Sequence, residues 1–279
     1  MKQISENVYV ETAQPGCNFG FVVTNEGIVM IDSPQQPSFV STWKKTILDK
    51  GKIRFLINTE HHRDHIIGDF FFDAPIVMHA KSREALLTLS LKSIMERIET
   101  SDPEGLPLVK GFYVKKPTIV YHQEMSLHLG GHTIKLIHMP GHTAGMTTVY
   151  IPEERIVFTG DNISHRVQTF FHQSYPDQWL ESLKRIAALD AEVIVPGHGD
   201  ICGREYIEEQ TAFIHEWIDA VKQAVRQGLS KKEAQEKISF VDRYPMDIGL
   251  SRERAIEVQR MNVDRLYDLF QLSSKPNRA

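Results

Sequence analysis

The chain has 279 residues, of which 41% are hydrophobic and 24% charged. These fractions are typical of a globular protein and exclude a disordered chain, a collagen-like repeat and a coiled-coil fibre. The formal net charge of -4 gives no electrostatic reason to expect nucleic acid or an anionic membrane as a partner. No apolar run approaches the roughly 20 residues that cross a bilayer, so no membrane association is expected.

The N-terminal stretch MKQISENVYVETAQPG lacks the basic and then apolar profile of a secretory signal. We therefore expect a cytoplasmic protein. For such a protein, the cysteines Cys17 and Cys202 are expected to be two reduced thiols rather than a disulfide. The chain also contains 13 histidines, and their positions carry the functional information.

The first half of the chain contains short apolar, β-branched runs separated by turn residues. The runs NVYVETA, FGFVVTN and GIVMIDS predict an antiparallel meander. Beyond them we expect a helix, two strands, a second helical stretch and a connection punctuated by Pro and Gly, at 37–50, 53–59, 75–80, 81–99 and 101–117.

A second set of strands follows, and helices then dominate the C-terminal part. The strand-like runs are PTIVYH, MSLHLG, HTIKLIHMP, MTTVYIP and RIVFTGD. Beyond them we expect helices at 177–188, 203–227, 231–237 and 251–272, with the strand EVIVPG after the first. Within 203–227, one buried stripe recurs at helical spacing: Tyr206, Gln210, Phe213, Trp217, Val221 and Ala224.

Two strand sets followed by helices predict an α/β fold of the αββα sandwich type. In this fold, two mixed β-sheets pack face to face with helices on both outer faces. We expect one domain over residues 1–279, with the C-terminal helices of 203–272 packed on it. The wide apolar faces of those helices serve either to cover the sandwich or to form a homodimer interface.

Residues of metal-ligand type stand after four of the predicted strands. Glu60-His61-His62-Arg63-Asp64-His65 follows the strand IRFLINT. The later positions, each beside a Gly that lets the chain turn sharply, are His142, Asp161 and His198. Imidazole and carboxylate suit zinc and also iron or manganese. The number of such groups exceeds what one tetrahedral ion needs and matches two neighbouring ions that share a bridging carboxylate.

The order and spacing of these four motifs resemble the metallo-β-lactamase-fold superfamily, whose first motif is usually written H-x-H-x-D-H. The resemblance implies that Glu60, His62 and His142 hold a first metal ion. It implies that Asp64, His65 and His198 hold a second, and that Asp161 bridges the two. Among the superfamily, hydrolases with an aspartate bridge are more similar to this sequence than lactamases with a cysteine there.

One position departs from the family pattern, because Glu60 stands where the first motif usually has His. A carboxylate is a competent zinc ligand, so the site can still form. Its negative charge favours harder metals and makes the first ion a weaker Lewis acid. We therefore expect two divalent ions, zinc first, with iron or manganese as alternatives.

These features predict an enzyme, a metal-dependent hydrolase acting on a small-molecule ester, thioester, lactone or amide. A hydroxide between the metals would be the nucleophile, and Asp64 would accept a proton from the attacking water. Two alternatives stay open. One is an iron-loaded redox protein, since flavodiiron carriers share the fold and have a carboxylate in the first motif, at the position of His62. The other is a non-catalytic binding or sensor module.

Other residues near the motifs have weaker expectations. Asp32 is either a structural support near the metals or a plain turn former. His165 and His172 follow Asp161 and are the remaining histidines most expected to face the crevice. For the substrate, the candidate lining is the segment 81–117 with Phe170, Phe171, His172 and Tyr175, and the candidate basic residues are Lys110, Lys115, Lys116 and Arg166.

Overall fold

The computed structural model describes residues 1–244 and 251–274. In this part of the chain, the first sheet has its strands in chain order. They are β1 (Lys2–Gln3), β2 (Val8–Glu11), β3 (Phe19–Thr24), β4 (Gly27–Ile31), β5 (Ile53–Ile57), β6 (Ile76–His79) and β7 (Ile119–Tyr121). Neighbours from β1 to β4 are antiparallel, which confirms the meander, and those from β4 to β7 are parallel.

The second sheet contains β8 (Glu124–Leu129), β9 (His132–His138), β10 (Thr147–Ile151), β11 (Ile156–His165) and β12 (Val193–Gly199). The spatial order is β12-β11-β10-β9-β8, and only the β11–β12 pair of this described sheet is parallel. Both sheets are therefore mixed, as expected. One strand differs from the expected grouping: β7 begins the second strand set in the sequence but pairs with β6 of the first sheet.

Helices cover both outer faces of the sheets. On the first sheet lies α1 (Pro37–Leu48), whose Trp43 ring packs against the rings of Phe19 and Phe21 at 4.9 and 5.3 Å. The short α2 (Arg63–Ile66) follows β5, and α3 (Ala80–Leu86) and α4 (Leu91–Ser101) follow β6. The helical stretch expected at 81–99 is thus two helices, because the Ser90 side chain accepts a hydrogen bond from Ser93 N–H and starts a new one.

The second sheet is covered by α5 (Pro176–Ala187), α6 (Tyr206–Arg226), α7 (Lys231–Lys237) and α8 (Arg252–Ser274). All six residues of the predicted stripe on α6 are buried. The five stripe residues other than Gln210 join the core cluster that α5 and α8 also enter, with Trp179, Trp217 and Leu266 fully enclosed. The apolar faces of α6 and α8 therefore cover the sandwich.

Between the sheets lies a separate apolar core to which both contribute, including Val10, Ile57, Leu136 and Phe158. The αββα sandwich is confirmed. Both cysteines are free thiols. Within the described residues, we find no helix with the length and apolar character required to cross a bilayer.

Candidate metal centre

The seven predicted ligand residues converge at one edge of the sandwich. Four of them lie on the segment that leaves β5 and enters α2, with Glu60 in the loop and Asp64 and His65 in the helix. His142 lies in the turn after β9, whereas Asp161 and His198 lie on the adjacent strands β11 and β12. Strands and turns from both sheets thus bring residues distant in sequence to one crevice.

Asp161 was expected in a turn after a strand, but β11 continues past it to His165. The strand is irregular here, because its register with β12 shifts on both sides of Gly160, which has φ +51°. Such a bulge turns a side chain without ending the strand. Gly197 on β12 leaves the space: a Cβ there would lie 1.9 Å from Asp161 Oδ1.

The first group of ligand-type atoms comes from Glu60, His62, His142 and Asp161, all within 4.8 Å of one another. Glu60 Oε2 lies 2.7 Å from His62 Nδ1. His62 Nδ1 lies 3.2 Å from His142 Nε2, which is 3.6 Å from Asp161 Oδ2. A tetrahedral ion with bonds of about 2.0–2.1 Å places its ligand atoms about 3.3 Å apart, so these separations suit one ion.

The second group comes from Asp64, His65 and His198. Asp64 Oδ2 lies 3.4 Å from His198 Nε2 and 4.0 Å from His65 Nε2. Asp161 is adjacent to this group as well, with Oδ1 at 3.3 Å from His65 Nε2 and Oδ2 at 3.2 Å from His198 Nε2. Asp161 therefore lies between the two groups, where a bridging carboxylate would stand.

Asp32 orients one of the imidazoles. Its side chain accepts hydrogen bonds from Thr59 N–H at 2.8 Å and from Thr59 Oγ1 at 2.7 Å, and its Oδ2 lies 3.0 Å from His65 Nδ1. The residue is buried and has φ +54°, a conformation that Asp and Asn tolerate better than most residues. The structure therefore favours the expectation that Asp32 is a structural support near the metals over the expectation that it is a plain turn former. The proton on Nδ1 leaves Nε2 of His65 free to face the crevice.

Two further imidazoles are oriented by the backbone. His142 Nδ1 donates to the carbonyl oxygen of Phe170 at 2.8 Å, and His198 Nδ1 donates to that of Gly16 at 2.9 Å. In both rings the proton on Nδ1 leaves a lone pair on Nε2, the atom that faces the cluster. Neither carbonyl could be named from the sequence, because the partners are distant along the chain and any residue type provides the same oxygen.

His62 is held the opposite way round. Its Nε2 lies 3.2 Å from Gln173 Oε1, to which His61 Nε2 is also close, at 3.1 Å. When Nε2 of His62 donates to that amide oxygen, Nδ1 carries the lone pair and faces the Nε2 lone pair of His142. Two lone pairs 3.2 Å apart repel each other unless a cation or proton lies between them.

Several buried polar atoms of the cluster have no hydrogen-bond partner in the described structure. They are both carboxylate oxygens of Glu60, Nε2 of His65 and Oδ1 of Asp161. Leaving a buried polar group unpaired costs about 1–3 kcal/mol, and more when the group is charged. The residues present therefore fit a centre of divalent metal ions, since these atoms are the ones that such ions would coordinate.

Burial and neighbouring charges act on the pKa values of the cluster in opposite directions. Burial raises the pKa of Asp161, but the neighbouring His198 and His65 outweigh it and hold that pKa well below its usual range. Burial lowers the pKa of His142 well below its usual range. Burial also raises the pKa of Glu60, although His62 opposes the change. Added positive charge, such as that of a bound metal ion, would offset the buried carboxylates of this cluster.

A cleft of about 460 Å³ opens onto the cluster. His62, Asp64, His142, Asp161 and His198 line one side of it. Elsewhere the walls carry Gly16, Gln35, Leu89, Ser90, Ser93, Ile94, Phe170, His172 and Met261, together with Arg63, Arg97 and Arg254. The crevice is thus accessible to a small molecule.

The expected lining is confirmed only in part. Residues of 81–117 on and before α4, with Phe170 and His172, line the cleft, whereas Phe171 is fully buried in the core. His165 lies outside the cleft, with Nδ1 bonded to the carbonyl oxygen of Asp200. Outside the lining also lie Tyr175, Lys110, Lys115, Lys116 and Arg166.

The basic residues that do line the cleft were missed by the sequence reasoning. Arg97 follows the buried Ile94 by three positions on α4, so it shares that helix face. A charged residue on an otherwise apolar face was the available signal. For Arg254, on a helix far along the chain, no local signal existed.

A model of the metallo-beta-lactamase superfamily matches residues 14–198. The hydroxyacylglutathione hydrolase of Mesorhizobium japonicum is 24% identical over 220 residues, which cover 78% of this chain and 73% of that protein. The hydroxyacylglutathione hydrolase of Bartonella quintana is 24% identical over 199 residues, covering 70% of this chain and 66% of that protein.

Solved structures share the fold. A metallo-beta-lactamase family protein from Thermus thermophilus aligns with a TM-score of 0.67 at 16% identity, covering 96% of this chain and 95% of that one. A sec-alkylsulfatase from Pseudomonas sp. aligns with a TM-score of 0.72 at 12% identity, covering 96% of this chain and 49% of that one.

The ligand-type cluster and the cleft define a candidate metal centre that a small molecule can reach. The family match extends from before the first motif to the last motif histidine, His198. The chain belongs to the metallo-beta-lactamase superfamily.

Proposed function

We propose that this enzyme hydrolyses an ester, thioester, lactone or amide bond of a small molecule at a centre of two divalent metal ions. The observation that carries the proposal is the position of Asp161, whose oxygens lie 3.2–3.6 Å from imidazole nitrogens of both ligand groups. A single-ion site would not need a carboxylate placed between two groups.

In this proposal Glu60, His62 and His142 hold the first ion, and Asp64, His65 and His198 hold the second. Asp161 contacts both. Zinc suits this donor set, and the three carboxylates also suit iron or manganese. When bound, the two ions would lower the pKa of a water molecule and polarise the carbonyl oxygen of the substrate.

Asp64 is the carboxylate that we assign to proton transfer. Its side chain is 21% exposed, whereas that of Glu60 is fully buried and that of Asp161 is 7% exposed. Asp64 is also part of the cleft wall. It is therefore the ligand carboxylate best able to accept a proton from a water molecule that enters from the cleft.

Glu60 gives the first ion an additional negative ligand. Both its oxygens are buried, and the nearest opposing group is the imidazole of His62, whose Nδ1 lies 2.7 Å from Glu60 Oε2. We therefore propose that the first ion is a weaker Lewis acid than one held by three histidines, and that substrate activation depends more on the second ion.

The thioester is the first bond to test. The relatives above are named for hydroxyacylglutathione, in which an acyl group is joined to the sulfur atom of glutathione by a thioester bond. At 24% identity this similarity supports the bond type without fixing the substrate. A panel of thioesters, esters and lactones is therefore the appropriate first assay.

The proposal is tested by elemental analysis of protein purified without chelator, followed by that panel. We expect about two zinc or manganese ions per chain and turnover of at least one thioester or ester. One ion per chain would contradict the first site, and two irons with no hydrolysis would contradict the hydrolytic reaction.

The variant Asp64→Asn tests the role of the proton acceptor. It should lower kcat by about 10²–10⁴-fold, the usual contribution of general acid–base catalysis, with little change in Tm. The matched control is Asp73→Asn, since Asp73 is exposed and lies outside the cleft. Full activity in Asp64→Asn with both metals bound would contradict the assignment.

A further inference from the structure

Three arginines reach the cleft from three separate elements. Arg63 is the first residue of α2, Arg97 lies on α4 and Arg254 on α8. All three side chains belong to the cleft wall that also contains the ligand residues His62 and Asp64. Tertiary packing therefore gathers like charges beside the metal centre, an arrangement that disfavours the folded state unless opposite charge is supplied.

Within the described part of the chain, Arg97 has less compensating charge than Arg63 or Arg254. Its side chain is half-buried, and no carboxylate among residues 1–244 and 251–272 lies within ion-pair distance of it. Burial lowers the pKa of Arg97, the positive charge of Arg63 lowers it further, and Asp64 opposes the change. A partly desolvated guanidinium that has no carboxylate partner among those described residues has hydrogen-bonding capacity left for a ligand.

The other two arginines have weak or shared partners. Arg63 Nη1 donates to Ser93 Oγ at 3.3 Å, a neutral partner at a long distance. Arg254 Nη1 lies 2.5 Å from Glu257 Oε2, an exposed ion pair between positions three apart on α8. One planar guanidinium offers five N–H donors, so Arg254 can hold Glu257 and still donate elsewhere.

Loading the metal centre strengthens the positive character of the cleft. Without metals, Asp64 partly offsets the charge of Arg97. Two divalent cations carry more positive charge than the carboxylates of Glu60, Asp64 and Asp161 carry negative charge. In the loaded enzyme the metal centre therefore no longer offsets the positive charge of the arginines. An anion that enters the cleft would offset it.

We infer that the cleft selects substrates that carry an anionic group, a carboxylate or a phosphate, which Arg97 binds with help from Arg63 and Arg254. The inference rests on the proposed function, because it assigns a second recognition point beside the metal centre. Arginine suits this task, since its planar fork donates two parallel hydrogen bonds to such groups. The apolar wall residues Leu89, Ile94, Phe170 and Met261 indicate that the anion is joined to an apolar segment.

A binding measurement tests the inference without requiring turnover. Calorimetric titration of the zinc-loaded protein with glutarate and with butyrate compares a molecule with two carboxylates to one of similar length with a single carboxylate. We expect glutarate to bind about tenfold more tightly or better, the range for hydrogen bonds to charged groups. Arg97→Gln should remove most of that difference, and Arg97→Lys should retain part of it because the charge remains.

The matched control for Arg97→Gln is Lys92→Gln on the same helix. The Lys92 side chain is 85% exposed and lies outside the cleft wall, so this variant loses the same charge at a position that contacts nothing in the cleft. Equal binding of glutarate and butyrate by the parent protein, or equal effects of Lys92→Gln and Arg97→Gln, would overturn the inference.

Turnover provides the second readout, with thioesters matched in length that do or do not carry a carboxylate. We expect KM to be about tenfold or more lower for the anionic member and to rise in Arg97→Gln, whereas Lys92→Gln should leave the turnover of both members unchanged. Equal hydrolysis of both members would contradict the inference and leave the hydrolase proposal standing. No hydrolysis of either member, with tighter glutarate binding retained, would contradict the hydrolase proposal alone.

Discussion

Replacing Asp32 with Asn tests whether the proposed metal centre depends on the support of His65. The substitution preserves the shape of the side chain, and Asn tolerates the φ of +54° at this position. If the amide oxygen of the new side chain keeps the hydrogen bond from Thr59 N–H, its nitrogen takes the place of Asp32 Oδ2, 3.0 Å from His65 Nδ1. A hydrogen-bond acceptor is then replaced by a donor. That nitrogen donates to Nδ1, so the proton of the imidazole moves to Nε2.

The expected magnitude follows from those contacts. A proton on Nε2 occupies the lone pair that faces Asp161, 3.3 Å away, and blocks coordination by His65. Loss of such a supporting partner usually lowers metal affinity about 10–100-fold. The charged hydrogen bonds from Thr59 and His65 are also weakened, which should cost about 1.5–3 kcal/mol in the free energy of unfolding.

Competition with a chromophoric chelator measures the affinity of each metal, and urea unfolding measures the stability. We expect one of the two ions to bind about 10–100-fold more weakly in Asp32→Asn while the other changes little. The matched control is Asp69→Asn, since Asp69 is buried nearby but bonds to Ser33 and Asn58 rather than to an imidazole. Parental affinity for both ions in Asp32→Asn would refute the reasoning.

Two further predictions concern packing and pH. Gly197→Ala places a Cβ too close to Asp161, 1.9 Å from Oδ1 and 2.7 Å from the backbone nitrogen. We therefore expect this variant to lose bound metal and to be destabilised by about 1–3 kcal/mol or more. The control is Gly111→Ala, whose Cβ meets no atom within 4 Å and which should keep its metals. Burial raises the pKa of Asp69 from 3.8 to about 7, so the folded protein holds a proton that the unfolded chain has released. The protonated Asp69 carboxyl therefore contributes about 4 kcal/mol to the free energy of unfolding. This contribution is fully present below about pH 4 and is lost as the pH rises through 7. In urea unfolding, Asp69→Asn should therefore gain stability over the parent as the pH rises, and a constant difference between the two would exclude this pKa.

The sequence was most informative where residue type, order and spacing together indicate one kind of structure. The run from Glu60 to His65, with the later Gly-flanked His142, Asp161 and His198, indicates a metal site because few other structures need those groups in that order. The alternating apolar runs and the stripe on α6 were likewise readable, because strand and helix periodicity express which side of an element is buried.

Other features depend on partners that are distant along the chain. β7 pairs with the first sheet although it precedes β8 by only two residues, since a strand pattern shows that a segment is extended but not what it pairs with. The same limit hid the break between α3 and α4, where a serine cap outweighs helical composition.

The amino-acid sequence alone determined the sandwich, the kind of chemistry and the residues of the candidate centre, because those depend on residue type, spacing and periodicity. Only the tertiary structure decided how each imidazole side chain is oriented and which charges face the substrate. The carbonyl oxygens of Phe170 and Gly16 have no signature in a sequence, since every residue carries the same group. Arg97 and Arg254 line the same cleft although α4 and α8 are far apart in the sequence, and that proximity exists only once the chain has folded.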